Sequence, residues 1–280
     1  MIELPDSLEI PEKSNMPVLF VGHGNPMNAL SDNAFTKNWQ KAGQLIPKPQ
    51  AILSISAHWL TRNETRVSFA GMPDTIHDFE GFPYDLESFV YPAPGAPEFA
   101  RQTAEGIGSI SIIEDKDRGL DHGTWAVLCH MFPMAEVPVY QMSMDYTQPP
   151  EFHYELAAEL RHLRSKGVLI MGSGNPVHNL KALRPGAEPY DWALEFDDFL
   201  TAWITERQFD RILDYRSLGQ TAKMAHPAPD HFLPLVYTLG TMTDSDTVHF
   251  FNDAFDMSSV SMRSFTAIPS NPDHSDGGNQ

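Results

Sequence analysis

Short apolar runs alternate along this chain with longer stretches in which apolar residues recur every three or four positions. Val18–Val21, Ala51–Ser56, Val137–Met142 and Val168–Met171 are too short for helices and rich in β-branched residues, so each is expected to be a buried strand. Helical spacing links them. Ser31 is positioned to cap a helix carrying Phe35, Trp39, Ala42 and Leu45, with Pro47 as its stop. Pro149-Pro150-Glu151 opens a second helix with Phe152, Leu156, Leu160 and Leu163 on one face and Gly167 at its end. A third follows Asp191, and a fourth runs from about Phe232 to Leu239, closing at Gly240. This alternation predicts an α/β fold: one domain with a central, mostly parallel sheet flanked by helices. Thr247–Phe251 and Ser261–Ala267 lie close together and predict an antiparallel edge. The stretch from Thr61 to Pro97, rich in Gly, Pro and aromatics, is expected to be a long functional loop. Residues 1–15 are expected to be an extension, 16–268 the domain and 269–280 a disordered polar tail.

Composition narrows the functional classes. The chain has 280 residues, 41% of them hydrophobic, and a net charge of −18. Such a charge repels polyanions, so neither nucleic acid nor an anionic membrane is an expected partner. No apolar run approaches the roughly 20 residues of a membrane span, and the acidic, proline-broken start lacks the marks of a signal peptide. One cysteine, Cys129, fits a reducing compartment, so a cytoplasmic protein is expected. Cys129 itself reads as buried filler.

Twelve histidines remain to be explained. Their placement is informative, because the expected strands run directly into them: Val18–Val21 into Gly22-His23-Gly24, Ala51–Ser56 into Ala57-His58-Trp59, and Val168–Met171 into Gly172-Ser173-Gly174-Asn175-Pro176-Val177-His178. In an open α/β sheet the carboxyl ends of parallel strands line the ligand-binding edge. His23 and His58 are 35 residues apart, about one strand–helix–strand unit, which places them on neighbouring strand tips. His122 and His231 occupy loops of similar character, each before an expected helix. Converging imidazoles point to a metal site at the strand carboxyl ends, with acid–base helpers. His130, His153, His162, His249 and His274 read as ordinary structural or surface residues, while His77 and His226 stay undecided. Asp121 reads equally as an orienting partner for His122 and as an exposed loop aspartate. Phe79, Phe82, Tyr84 and Tyr91 read either as the wall of a pocket for a flat ring or as a local core beneath the loop. Trp59 reads as packing.

These residues come as an ordered set: Gly22-His23-Gly24-Asn25-Pro26, Ser56-Ala57-His58-Trp59, Thr75-Ile76-His77-Asp78-Phe79-Glu80-Gly81-Phe82-Pro83, Tyr91-Pro92-Ala93-Pro94-Gly95, Leu120-Asp121-His122-Gly123, Gly172-Ser173-Gly174-Asn175-Pro176-Val177-His178-Asn179 and Pro229-Asp230-His231-Phe232-Leu233-Pro234-Leu235. The set resembles the class III extradiol ring-cleaving dioxygenases, in the 4,5-DOPA dioxygenase extradiol branch, over roughly residues 16 to 267. The resemblance implies an oxidoreductase, monomeric or a weak homo-oligomer, that opens a catechol ring beside its two hydroxyls with O2 and one divalent metal ion. It implies His23, His58 and His231 as metal ligands. His178 matches a histidine assigned to acid–base work, with a place as fourth metal ligand as the alternative, and His122 matches a histidine near substrate and oxygen. An all-histidine set suits Zn(II) as well as Fe(II), whereas dioxygen chemistry requires a redox-active metal such as Fe(II). The alternative is a zinc-dependent hydrolase using the same histidines, with His178 or Asp230 as base. Catecholic acids are anions, so the acidic surface does not draw them in, and affinity must come from the local metal charge.

Overall fold

The computed structural model describes residues 1–10 and 14–270. Six strands form the central sheet: β1 (Val18–Gly22), β2 (Ala51–Ser56), β3 (Val139–Gln141), β4 (Val168–Gly174), β5 (Asp246–Phe251) and β6 (Ser264–Pro269). Their order is β3-β2-β4-β1-β6-β5. The first four run parallel, and β6 and β5 add the antiparallel edge expected from their spacing. The remaining residues expected in the tail, 271–280, lie outside the described residues.

Period-two alternation divides the core in two. Val18, Phe20, Leu53, Ile55, Val168 and Ile170 face one side of the sheet, and Leu19, Val21, Ile52, Leu169 and Met171 face the other. Helices α1 (Ala34–Leu45) and α2 (His122–Met131) cover the second side through Trp39, Ala42, Trp125 and Leu128. Helices α3 (Pro150–Glu159), α4 (Asp191–Thr205) and α5 (Leu233–Thr241) cover the first through Leu156, Phe196, Leu200, Leu235 and Leu239. Both faces are therefore buried, which is why the parallel strands read as continuous apolar runs.

Three local expectations change. Asn33, not Ser31, caps α1: its side chain accepts from Thr36 N–H while Thr36 Oγ1 accepts from Asn33 N–H, a reciprocal box that Ser31 is two residues too early to make. Gly240 lies inside α5 rather than ending it. A Cβ there would sit 2.5 Å from Tyr154 O, so the glycine serves close packing against α3. The helix after Pro150 tightens into a 3₁₀ turn over Leu160–Lys166 before Gly167, whose φ of 79° provides the expected left-handed stop. Among the described residues no helix is long and apolar enough to cross a membrane.

A buried ion pair ties the amino end of this sheet. The Arg164 guanidinium meets Asp246 through two 2.7 Å bonds, with both side chains at most 1% exposed. Arg164 also donates to Met16 O, just before β1, and to Thr241 O, at the end of α5. Removing one partner strands a buried charge, so Arg164→Ala is expected to lose about 3–5 kcal/mol of unfolding free energy. The exposed Lys37–Asp32 pair is a control: with both variants read by urea titration, Lys37→Ala should change stability by less than about 1 kcal/mol.

Candidate metal centre

The carboxyl ends of β1, β2 and β4 carry the site. His23 follows β1 and His58 follows β2, but these strands are not neighbours: β4 runs between them. The two imidazoles meet across the tip of β4, which ends in Gly172-Ser173-Gly174 and leaves the space open. A Cβ on Gly174 would lie 2.3 Å from His231 O, so only glycine lets the loop before α5 approach. Asn175 N–H donates to His231 O and His23 N–H to Gly174 O, fixing both histidines to the same strand end. On the far side, a Cβ on Gly123 would meet Ser56 Oγ at 2.6 Å and the His58 ring at 3.1 Å. The His58 and His122 rings accordingly lie 3.9 Å apart, centroid to centroid.

Hydrogen bonds define the tautomers. Ser173 Oγ donates its one proton to Gly123 O at 2.5 Å, so toward His23 Nδ1, at 3.0 Å, it acts as acceptor. His23 is therefore protonated on Nδ1, with its lone pair on Nε2. The Asp78 carboxylate lies 3.1 Å from His58 Nδ1 and 2.9 Å from His122 Nδ1, which puts the protons there as well. When both rings are neutral, His23 Nε2 and His58 Nε2 then face each other at 3.2 Å with a lone pair on each. A cation between them relieves this repulsion. Two imidazole nitrogens each at the usual distance of roughly 2.0–2.1 Å from one metal would be about 3 Å apart, so the pair fits a shared ion.

His23, His58 and His122 each offer a ligand atom within 4.8 Å of the others, and His178, Asp230 and His231 form a second such group. The groups abut: the His231 ring centroid is 5.2 Å from that of His23 and 5.1 Å from that of His58. His178 stacks on His231 with centroids 3.4 Å apart and planes 8° from parallel. His231 Nδ1 is buried without a hydrogen bond, although Asp230 Oδ2 lies 3.3 Å away off the bonding line. Burial pushes the imidazoles of His23 and His231 well below their ordinary pKa, and the neighbouring histidines push further. Burial also lowers His122 and takes His178 to about 4. His58 is the exception. Burial lowers it, but Asp78, Asp121 and Asp230 together raise it above its ordinary value.

All five histidines singled out from the sequence thus share one crevice. Asp78 was missed, although it stood within the quoted Thr75–Pro83 motif. An aspartate in a loop carries no spacing signal, and only the fold brings it against two rings. Asp121 follows neither reading: fully buried, it caps α2 at Thr124 N–H and takes bonds from Ser56, Arg118 and Gln141. Phe79 and Phe82 pack on the core beside α2, and Phe79 reaches the His122 ring at 5.6 Å. Tyr84 is exposed, and Tyr91 is buried with its hydroxyl donating to Phe132 O. Trp59 is buried beneath Arg118. His77 bonds to Phe89 O and His226 to Pro176 O, so both support loops. Burial pushes the Cys129 thiol up to about 12, as befits filler.

The geometry can be set beside known proteins. A model of the catalytic LigB subunit of aromatic ring-opening dioxygenase matches residues 17–265. The chain belongs to this family. A 4,5-DOPA dioxygenase extradiol of Escherichia coli K12 is 40% identical over 264 residues, covering 91% of this chain and 96% of that protein. One from Beta vulgaris is 37% identical, covering 88% and 94%. The crystal structure of an uncharacterized Escherichia coli K12 protein superposes with a TM-score of 0.78 at 37% identity, over 90% of this chain and 99% of that one. The LigB-family fold and the buried histidine group agree on a single-domain enzyme whose site suits one metal ion.

Gly123→Ala tests the close approach. Alanine improves helix propensity by at most about 1 kcal/mol, while forcing a methyl into a packed site costs about 1–3 kcal/mol. A net loss of stability, read from thermal unfolding, is therefore expected together with weaker retention of added Zn(II), because the methyl displaces Ser56 Oγ first and crowds the His58 ring beside it.

Proposed function

We propose that this LigB-family enzyme cleaves the ring of a catechol, DOPA-like or related, on the extradiol side with O2. The facing Nε2 lone pairs of His23 and His58 carry this reading, together with relatives named for that activity. In this reading His23, His58 and His231 hold the ion, and burial keeps the His23 and His231 imidazoles neutral, as ligands must be. A divalent ion bound there supplies Lewis acidity that favours the catecholate and, if it is Fe(II), redox access to O2. The remaining work falls to the chain. His178, neutral at pH 7, takes the proton of a substrate hydroxyl on a ring nitrogen and later returns it, with Asp230 favouring its charged form. His122, its Nδ1–H held by Asp78, turns Nε2 toward substrate or oxygen. Phe79 supplies an apolar edge beside His122 for a flat ring. The same reading makes the protein cytoplasmic and monomeric or weakly self-associating, with a small-molecule catechol and O2 as its partners.

A second reading has specific support. Since His122 shares the 4.8 Å group with His23 and His58, it competes with His231 as third ligand. Metal retention by His122→Ala and His231→Ala separates the two: the reading given first expects loss only in His231→Ala.

Protein loaded anaerobically with Fe(II), then given catechol and oxygen, is expected to take up one O2 per catechol and form a yellow ring-opened product. His178→Ala should keep the metal and lose turnover by roughly 10²–10⁴-fold. His23→Ala and His58→Ala should each lose the metal. Loss of metal from His178→Ala would make it a ligand, and activity retained with Zn(II) without oxygen would favour a hydrolase.

A further inference from the structure

One carboxylate serves two of these rings. Asp78 Oδ1 accepts from both the backbone N–H and the Nδ1–H of His122, at 3.1 and 2.9 Å, while Oδ2 lies 3.1 Å from His58 Nδ1. Among the described residues neither Nδ1 has another hydrogen-bond acceptor. Asp78 comes from the stretch between Ser68 and Tyr84, which has no helix or strand of its own. That stretch is pinned beside the site by Trp125 Nε1–H donating to Ile76 O, by Ile76 N–H donating to Leu120 O, and by the pairing of Thr75 with Leu120. The side chain is only 22% exposed, so its bonds to the rings outcompete solvent. These bonds to His122 and His58 hold the carboxyl well below the usual range despite burial.

We propose that Asp78 is the positioning residue of the metal centre: it fixes His58 and His122 together as Nδ1–H tautomers and couples metal affinity to the docked state of the 75–82 loop. The proposal rests on the reading that these histidines hold a metal. Its chemistry is simple to state. A carboxylate accepts from both rings at once, whereas an asparagine side chain has one acceptor oxygen and one donor nitrogen. In Asp78→Asn one ring must therefore face a donor, move its proton to Nε2 and withdraw its lone pair from the centre. Coupling is reciprocal: if the docked loop strengthens metal binding, bound metal strengthens docking by the same factor.

The test uses the full chain with Zn(II) ions as probe. Nitrogen-15 NMR of metal-free wild type, at a pH where both rings are neutral, should show His58 and His122 as Nδ1–H tautomers, and Asp78→Asn should show at least one of them as Nε2–H. In Asp78→Asn the Zn(II) affinity should fall about 10–100-fold, the usual cost of losing a partner behind a ligand. Asp78→Glu, which keeps two acceptor oxygens, should recover part of that loss. Asp74→Asn, an exposed change on the same loop, should leave affinity unchanged. Added Zn(II) should slow hydrogen exchange of residues 75–82 in wild type but not in Asp78→Asn. If wild type binds zinc and folded Asp78→Asn binds it equally well, the role of Asp78 is wrong while the metal reading stands. If the wild-type rings prove to be Nε2–H, the proposal fails even where the variant does not fold. If wild type binds no zinc, the metal reading falls and the proposal with it.

Discussion

When both rings are neutral, two nitrogen lone pairs point at each other across 3.2 Å, an unfavourable contact in a buried site, and the rest of the crevice holds His23 and His58 in that position. Neither ring can swing to relieve the repulsion. His23 is held through Ser173 to the backbone at Gly123, and His58 is held by Asp78 and wedged against α2. Burial disfavours an imidazolium at His23, so a proton between the rings resides on His58, whose charged form the nearby carboxylates favour, and a divalent cation takes that proton's place. The site is preorganised for an ion in this sense: most of the ordering needed to bind it is already present in the fold.

That preorganisation depends on small residues and buried bonds well behind the histidines. Gly172 lies against Pro234 and Thr238, and Gly174 against His231 O, so α5 can reach the tip of β4 and bring His231 over the crevice. Below His58, Ser56 donates to Asp121, which also receives Arg118 and Gln141 and caps α2. The charge of Asp121 is thus satisfied inside the protein while still favouring the protonated form of His58. Asp78, by contrast, is supplied by a loop, so the His58–His122 side of the centre rests on the less regular part of the chain.

Much of this was readable in the sequence where one periodic signal decides the outcome. Strand positions, the α/β class and the antiparallel edge followed from alternation and run length, and the strand-end placement of His23 and His58 followed from Gly-His and Ala-His steps after apolar runs. What could not be read depended on sequence-distant pairing. Insertion of β4 between β1 and β2 is a property of crossover topology, and no local pattern distinguishes it from simple adjacency. The burial of Asp121 and the bridging position of Asp78 depend on which side chains meet across 20 to 65 residues of chain. Gly240 looked like a helix stop because close packing and left-handed turns both select glycine, and only the partner helix separates them.

The central claim is that one ion sits between His23 and His58, and crystallography at an absorption edge reads it most directly. Crystals of protein loaded anaerobically with Fe(II), measured on both sides of the iron edge, are predicted to show a single anomalous peak within bonding distance of both Nε2 atoms. A peak confined to the His178–Asp230–His231 side, or no peak from protein with proven iron content, would contradict the account.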